Sequence, residues 1–249
     1  MGITALITVF IIGIFVYLHD FSIQKFNEKI KLKNKRILFI YPHPDDETMI
    51  SGGLLAYCAS QSNVSVTCIS TTKGENGTGK IVIPPDQLST IRKIEFTNAM
   101  NALKVDNFEL WDFPDGGIPK ERKRLKNTLN SFLTKENFDY VVTYDESGLY
   151  GHPDHITLSE IIQELESLHS YKTIFATLTE RMISRASLPT HMAEAKIPSP
   201  RIPNTRFNAW RYLFKRYKAA KAYKSQDLAQ GIPLWFKLVV TGWEYYWVD

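Results

Sequence analysis

This sequence predicts an α/β domain built on a mostly parallel sheet, preceded by an N-terminal transmembrane helix. Three observations predict it. Short apolar runs alternate with longer helical stretches through the middle of the chain. Several of those runs end in a polar loop containing Gly, Asp or His. Residues 3–18 carry no charge. Alternating strands and helices build a parallel sheet covered on both faces. The 249 residues suit one such domain with a modest extension.

At the N-terminus, a helix from Met1 to His19 is long enough to cross a thin bilayer. No Lys or Arg precedes the apolar run and no Ala-x-Ala-like site follows it, which argues against a cleaved signal peptide. A buried N-terminal helix is the remaining reading. Lys25, Lys29, Lys31, Lys33, Lys35 and Arg36 come after the run. The positive-inside rule then places the bulk of a single-pass chain on the cytoplasmic side; in a eukaryotic cell the endoplasmic reticulum is the expected membrane. Residues 1–19 are expected as the anchor and 20–35 as a basic juxtamembrane stem near anionic headgroups. Residues 36–249 form the domain, with a C-terminal extension from about 179.

The first strand is Arg36 to Tyr41, and a helix follows from about Glu47 to Gln61. Further strands are expected at 64–70, 106–111, 138–144 and 171–178. Helices are expected from Pro84 or Pro85 to Leu103, over 120–135 and over 156–168. Together these make a Rossmann-like three-layer arrangement without a dinucleotide fingerprint. Pro189 to Pro203 reads as a loop or return hairpin. Phe207 to Lys224 reads as a basic, aromatic helix that packs on the domain, with or without lipid contact. The aromatic tail from Trp235 to Trp247 reads as a strand or a short helix.

A net charge of +4 is too small to argue for nucleic acid. Two cysteines, Cys58 and Cys68, make no disulfide framework and read as reduced core residues.

The chemistry concentrates at two strand ends. His43-Pro44-Asp45-Asp46-Glu47 follows the first strand, and Tyr150-Gly151-His152-Pro153-Asp154-His155 follows the fourth. Right-handed crossovers bring both to one sheet edge, where open α/β sheets bind ligands. Three acids and a histidine within five positions repel one another unless a cation sits among them. His43, Asp46 and His155 supply two imidazoles and a carboxylate, a set that suits Zn²⁺ and also Fe²⁺. Asp45 points differently and is free to take a proton from an attacking water. His152 can face the substrate from the opposite side, as an imidazolium steadied by Asp154. Tyr150 can add a hydroxyl to an oxyanion. Arg92 can reach a substrate hydroxyl or phosphate, or can pair with Glu95 three residues on. These parts describe metal-assisted hydrolysis of an amide or similar acyl group.

Between about Arg36 and Leu178 the chain resembles the PIG-L/LmbE-like family of N-acetylglucosaminyl-phosphatidylinositol de-N-acetylases and bacterial sugar deacetylases. The resemblance rests on His43-Pro44-Asp45-Asp46-Glu47 and His152-Pro153-Asp154-His155. It implies zinc-dependent removal of acetate from an N-acetylglucosamine unit. It implies metal ligands His43, Asp46 and His155, with Asp45 as general base and His152 at the tetrahedral centre. It also implies roles for Tyr150 and Asp154 and a substrate contact for Arg92. The charge-free N-terminus and the tail around Ser225-Gln226 and Leu234-Trp235-Phe236 resemble the lipid-processing branch, which makes a lipid-linked substrate and a membrane the expected partners. The second motif, with Asp154, resembles the small-sugar branch. The alternatives are a deacetylase of a soluble N-acetylglucosaminide and a sugar-lipid binding protein without turnover.

Overall fold

The computed structural model describes residues 2–77, 79, 83–183 and 198–249. An apolar helix, α1 (Gly2–Leu18), leads into a short strand β1 (Gln24–Lys25) and a single turn α2 (Phe26–Lys29). The central unit then alternates β2 (Arg36–Tyr41), α3 (Asp46–Ala59), β3 (Ser65–Thr72), α4 (Pro85–Leu103), β4 (Asn107–Phe113) and α5 (Arg122–Lys135). It continues through β5 (Tyr140–Tyr144), a tight turn α6 (Gly148–Gly151), α7 (Pro153–Glu166) and β6 (Lys172–Thr177). The remainder holds α8 (Glu180–Ile183), β7 (Thr205–Asn208), a 3₁₀ turn at Ala209–Tyr212, α9 (Leu213–Ala222), α10 (Leu234–Val240) and β8 (Trp243–Val248).

The sheet order is β1-β7-β8-β6-β5-β2-β3-β4. Strands β4, β3, β2, β5 and β6 run parallel, and β8 pairs antiparallel with β6 and β7. The order therefore reverses between β2 and β5. At such a switch point the loops leaving neighbouring strands diverge and open a crevice. The two histidine-containing loops leave these two strands.

Alternation along β2 fixes the layers, because successive strand residues face opposite sides. Ile37, Phe39 and Tyr41 pack with residues of α3, α4 and α9. Leu38 and Ile40 pack with residues of α5 and α7. Cys58 and Cys68 are buried free thiols.

The N-terminal expectation is corrected. Among the described residues, no helix is long and apolar enough to cross a membrane. At 1.5 Å per residue the 17 residues of α1 reach about 25 Å, short of a bilayer core of about 30 Å. The end of α1 is tied to the domain instead. The buried His19 lies 2.8 Å from the Tyr245 hydroxyl and 2.7 Å from the Val240 carbonyl, and Phe15 meets the Trp210 ring edge-on. The transmembrane anchor and the single-pass, cytoplasmic-side localisation built on it are therefore not supported. The segment 20–35, expected as a stem, contributes Phe26, Ile30 and Leu32 to the core. Phe207 to Lys224 is a strand end, a 3₁₀ turn and a ten-residue helix rather than one helix. The expected loop from Pro189 falls largely in 184–197, outside the described residues.

The extension is riveted to α3 where that helix has no side chain. A Cβ on Gly53 would lie 2.4 Å from the Ala209 Cβ and 2.9 Å from Glu244 Oε1. The Glu244 carboxylate accepts the Gly53 and Leu54 amides at 2.6 and 2.8 Å. Gly53→Ala is expected to cost about 1–3 kcal/mol through overpacking. A urea midpoint equal to the parent's would contradict this close approach.

Candidate metal centre

The first loop is shaped from three sides. Pro42 and Pro44 stiffen it. The Pro42 carbonyl accepts the Thr72 amide and hydroxyl, both at 2.9 Å, so the end of β3 holds the end of β2. Asp45 takes φ +105°, a conformation that costs a non-glycine residue about 1–3 kcal/mol. Its amide donates to Glu47 Oε2 at 3.0 Å, and Arg92 Nη2 donates to its carboxylate at 3.0 Å and to the Pro44 carbonyl. Asp46 opens α3, where the positive end of the helix favours an acid. Its Oδ2 accepts the His43 amide at 3.0 Å and its Oδ1 accepts the Tyr144 hydroxyl at 2.8 Å.

The second loop is set by Asp145, which accepts the amides of Ser147 and Arg201 at 3.1 and 3.0 Å. Gly148 follows at φ +59°, where a Cβ would press on His155 and Ile156. The Gly148 carbonyl lies 3.1 Å from His155 Nδ1, and the ring stacks on Tyr144 at 4.3 Å. A carbonyl only accepts, so Nδ1 carries the proton and Nε2 turns a bare lone pair inward.

Three atoms then converge. His43 Nδ1 lies 3.2 Å from both Asp46 Oδ2 and His155 Nε2, and the last two are 3.5 Å apart. The far nitrogen of His43 faces Asp115 Oδ1 at 3.0 Å and Asp154 Oδ2 at 3.2 Å. These carboxylates only accept, so Nε2 carries a proton; Nδ1 faces the Asp46 carboxylate at 3.2 Å and would give up its own proton on ligating a metal. Two imidazole nitrogens and one carboxylate oxygen thus face one point, a donor set that fits Zn²⁺ or Fe²⁺.

The surrounding charges set the protonation of each group. Burial works against a charged His43, yet Asp115, Asp154 and Asp46 together raise its pKa well above the usual value. Burial pushes His155 down to about 3 and keeps it a neutral ligand. Burial favours the acid form of Asp46, but His155, His43 and Tyr144 hold it below the ordinary range. Burial drives Asp45 up to about 7 against the pull of Arg92.

Some expected partnerships are different. The Asp154 carboxylate does not hold His152. It accepts the Gly116 and Ile118 amides at 2.7 and 3.1 Å and braces His43. His152 Nδ1 instead accepts the Asp154 backbone amide at 3.2 Å, which leaves Nε2 as the ring's donor. Burial and the neighbouring His43 lower the His152 pKa from its ordinary value, against the pull of Asp154, Asp46 and Asp115. Its ring lies 4.8 Å from His43 and 4.6 Å from His155. Tyr150 packs 5.3 Å from His155, and burial with the nearby acids keeps its hydroxyl protonated. Arg92 is only 2% exposed, and its Nη2 is bonded to the Asp45 carboxylate. Glu95 bonds the Ser225 amide and hydroxyl, each at 2.7 Å, and not Arg92.

Two residues beside the ligands escaped sequence reasoning. Asp115 follows β4, in the loop 112–117 that reads as a turn. The rule that polar loops after parallel strands share one edge applies to it as well. Tyr144 is the last residue of a buried strand, and nothing in its pattern marks it.

A Rossmann-like sheet with this cluster of His and Asp side chains at its switch point defines an α/β protein with a candidate metal centre. The chain belongs to the PIG-L family, described as GlcNAc-PI de-N-acetylase, whose model matches residues 38–165. It is 33% identical over 138 residues to an uncharacterised protein of Acanthamoeba polyphaga mimivirus, covering 54% of this chain and 59% of that one. It is 27% identical over 231 residues to a 1D-myo-inositol 2-acetamido-2-deoxy-α-D-glucopyranoside deacetylase of Actinosynnema mirum, covering 77% and 80%. The fold is shared with the N,N'-diacetylchitobiose deacetylase of Pyrococcus horikoshii at TM-score 0.64 and 22% identity, over 91% and 94% of the chains. It is shared equally with the 4-carboxy-2-hydroxymuconate hydratase GalB of Pseudomonas putida at TM-score 0.61 and 14% identity, over 86% and 95%. One fold therefore carries at least two reactions, and the site must decide between them.

Removing the brace on His43 by Asp154→Asn is expected to weaken zinc binding about 10–100-fold. His155→Ala is expected to weaken it further, and His152→Ala to leave it near the parent's. Competition with a chromogenic chelator reads all three; an unchanged affinity in His155→Ala would contradict the ligand set.

Proposed function

We infer that this protein is a metal-dependent de-N-acetylase. It hydrolyses the acetamide of an N-acetylglucosamine unit joined to an alcohol aglycone and releases acetate and the free amine. The observation that carries this reading is the convergence of three ligand-type atoms beside a separate half-buried carboxylate, Asp45, which is bonded to Arg92. A bound zinc or iron(II) ion would polarise the acetamide carbonyl and make the attacking water more acidic.

The chain's own groups supply the rest. Asp45 takes a proton from the water as its oxygen attacks the carbonyl carbon. Arg92, bonded to Asp45, holds that carboxylate in place and offsets its charge. Nε2 of His152 and the Tyr150 hydroxyl donate to the developing oxyanion, from the side opposite Asp45. The proton held on Asp45 passes to the nitrogen as the C–N bond breaks, so water is added across the amide with no other reactant. Asp154 and Asp115 keep the His43 ring oriented. The amide substrate is supported by the family match and by the Actinosynnema mirum relative, whose name specifies an acetamido sugar on inositol.

A lipid-linked N-acetylglucosaminide is the second reading. One observation favours it: Leu6, Val9, Phe10, Ile12 and Val16 of α1 are exposed apolar side chains on the same molecule as the site.

Asp45→Asn is expected to retain zinc and to lose about 10²–10⁴-fold in turnover. Acetate release from an N-acetylglucosaminyl-inositol and from its phosphatidyl form in mixed micelles measures both points. Equal turnover by Asp45→Asn and parent would remove the proposed base. A strong preference for the micellar substrate would select the lipid-linked reading.

A further inference from the structure

The Asp45 backbone is held by a carboxylate that the extension itself holds. Glu47 is 1% exposed and Tyr223 is 2% exposed, so neither bond described next competes with solvent. Glu47 Oε2 accepts the Asp45 amide at 3.0 Å. Glu47 Oε1 accepts the Tyr223 hydroxyl at 2.6 Å and the Thr48 hydroxyl at 2.6 Å. Tyr223 closes α9, well beyond the family-matched residues 38–165. Two residues later Ser225 is fixed to Glu95 of α4 through both its amide and its hydroxyl. The tyrosine thus reaches Glu47 from a main chain pinned on both sides.

We propose that Tyr223 is a positioning residue for deacetylation, acting through Glu47 on the backbone of Asp45. The proposal rests on the reading of Asp45 as the base. A residue at φ +105° stays there only while its surroundings over-determine it. The Asp45 amide has its bond to Glu47, and the carboxylate has its bond to Arg92. Glu47 can keep one oxygen on that amide because the other is satisfied by two hydroxyl donors. Losing the tyrosine hydroxyl leaves a buried carboxylate short of a donor. It then turns to recover one, and the strained peptide relaxes. The metal ligands are untouched by that motion, because Asp46 is held by Tyr144 and the His43 amide. The extension therefore sets the aim of the base without contacting the substrate.

The test is a double-mutant cycle on the full, zinc-loaded chain. Tyr223→Phe deletes one oxygen from a packed ring and is expected to lower kcat about 10–100-fold. KM and zinc affinity are expected to stay near the parent's. Glu47→Gln is expected to lower kcat in the same way. In the Asp45→Asn background neither change is expected to slow turnover further. A Tyr223→Phe variant with parental kcat, beside an impaired Asp45→Asn, overturns the relay and leaves the base reading intact. Additive losses in the cycle, or a loss that follows zinc affinity, reduce Tyr223 to a structural part and overturn the relay. Parental turnover in Asp45→Asn removes the base reading and the relay with it.

Discussion

Crowded negative charge organises this molecule. Asp45, Asp46, Glu47, Asp115 and Asp154 gather at one sheet edge with Arg92 as the neighbouring fixed cation. Buried carboxylates at that density are unstable unless each is paired, hydrogen-bonded or neutralised. The protein answers each one separately. Asp154 takes two backbone amides, Glu47 takes two hydroxyls and an amide, and Asp45 takes Arg92. Asp46 has a hydroxyl and an amide, and still faces two imidazole nitrogens. The positive charge that we propose completes it is a metal ion.

That geometry requires the switch point. Adjacent parallel strands β2 and β5 bring loops from residues 42–46 and 145–155 together, so ligands more than a hundred residues apart come within 3.5 Å. The strand order supplies the crevice, and the glycine and proline positions shape the two loops. The rest of the chain then supports one detail each: β3 holds Pro42, α4 brings Arg92, the loop after β4 brings Asp115, and α9 brings Tyr223. The extension is accordingly part of the site's support, although it lies outside the region where the motifs occur.

Most of the central fold was legible because its signals are local. Apolar runs fixed β2 to β6 within about two residues, and the loops between them carried their own turn chemistry. The two motifs were legible because charge crowding is visible in one dimension. The less legible parts depend on distance along the chain. An apolar run of this length reads as a membrane span until its end is seen bonded to Tyr245 and Val240. Asp154 was assigned to its sequence neighbour His152, whereas folding gave its carboxylate to His43. Nothing local says that Arg92 meets Asp45. Tyr144 and Tyr223 have no pattern that separates them from other buried tyrosines.

The account depends on a cation lying among His43, Asp46 and His155. Anomalous diffraction from crystals grown with zinc tests that most directly. The account predicts one strong peak about 2 Å from His43 Nδ1, Asp46 Oδ2 and His155 Nε2. It also predicts that the Asp45 carboxylate stands outside the coordination sphere and remains bonded to Arg92. A peak bound instead by Asp115, Asp154 and the other nitrogen of His43 would contradict it, as would Asp45 among the ligands.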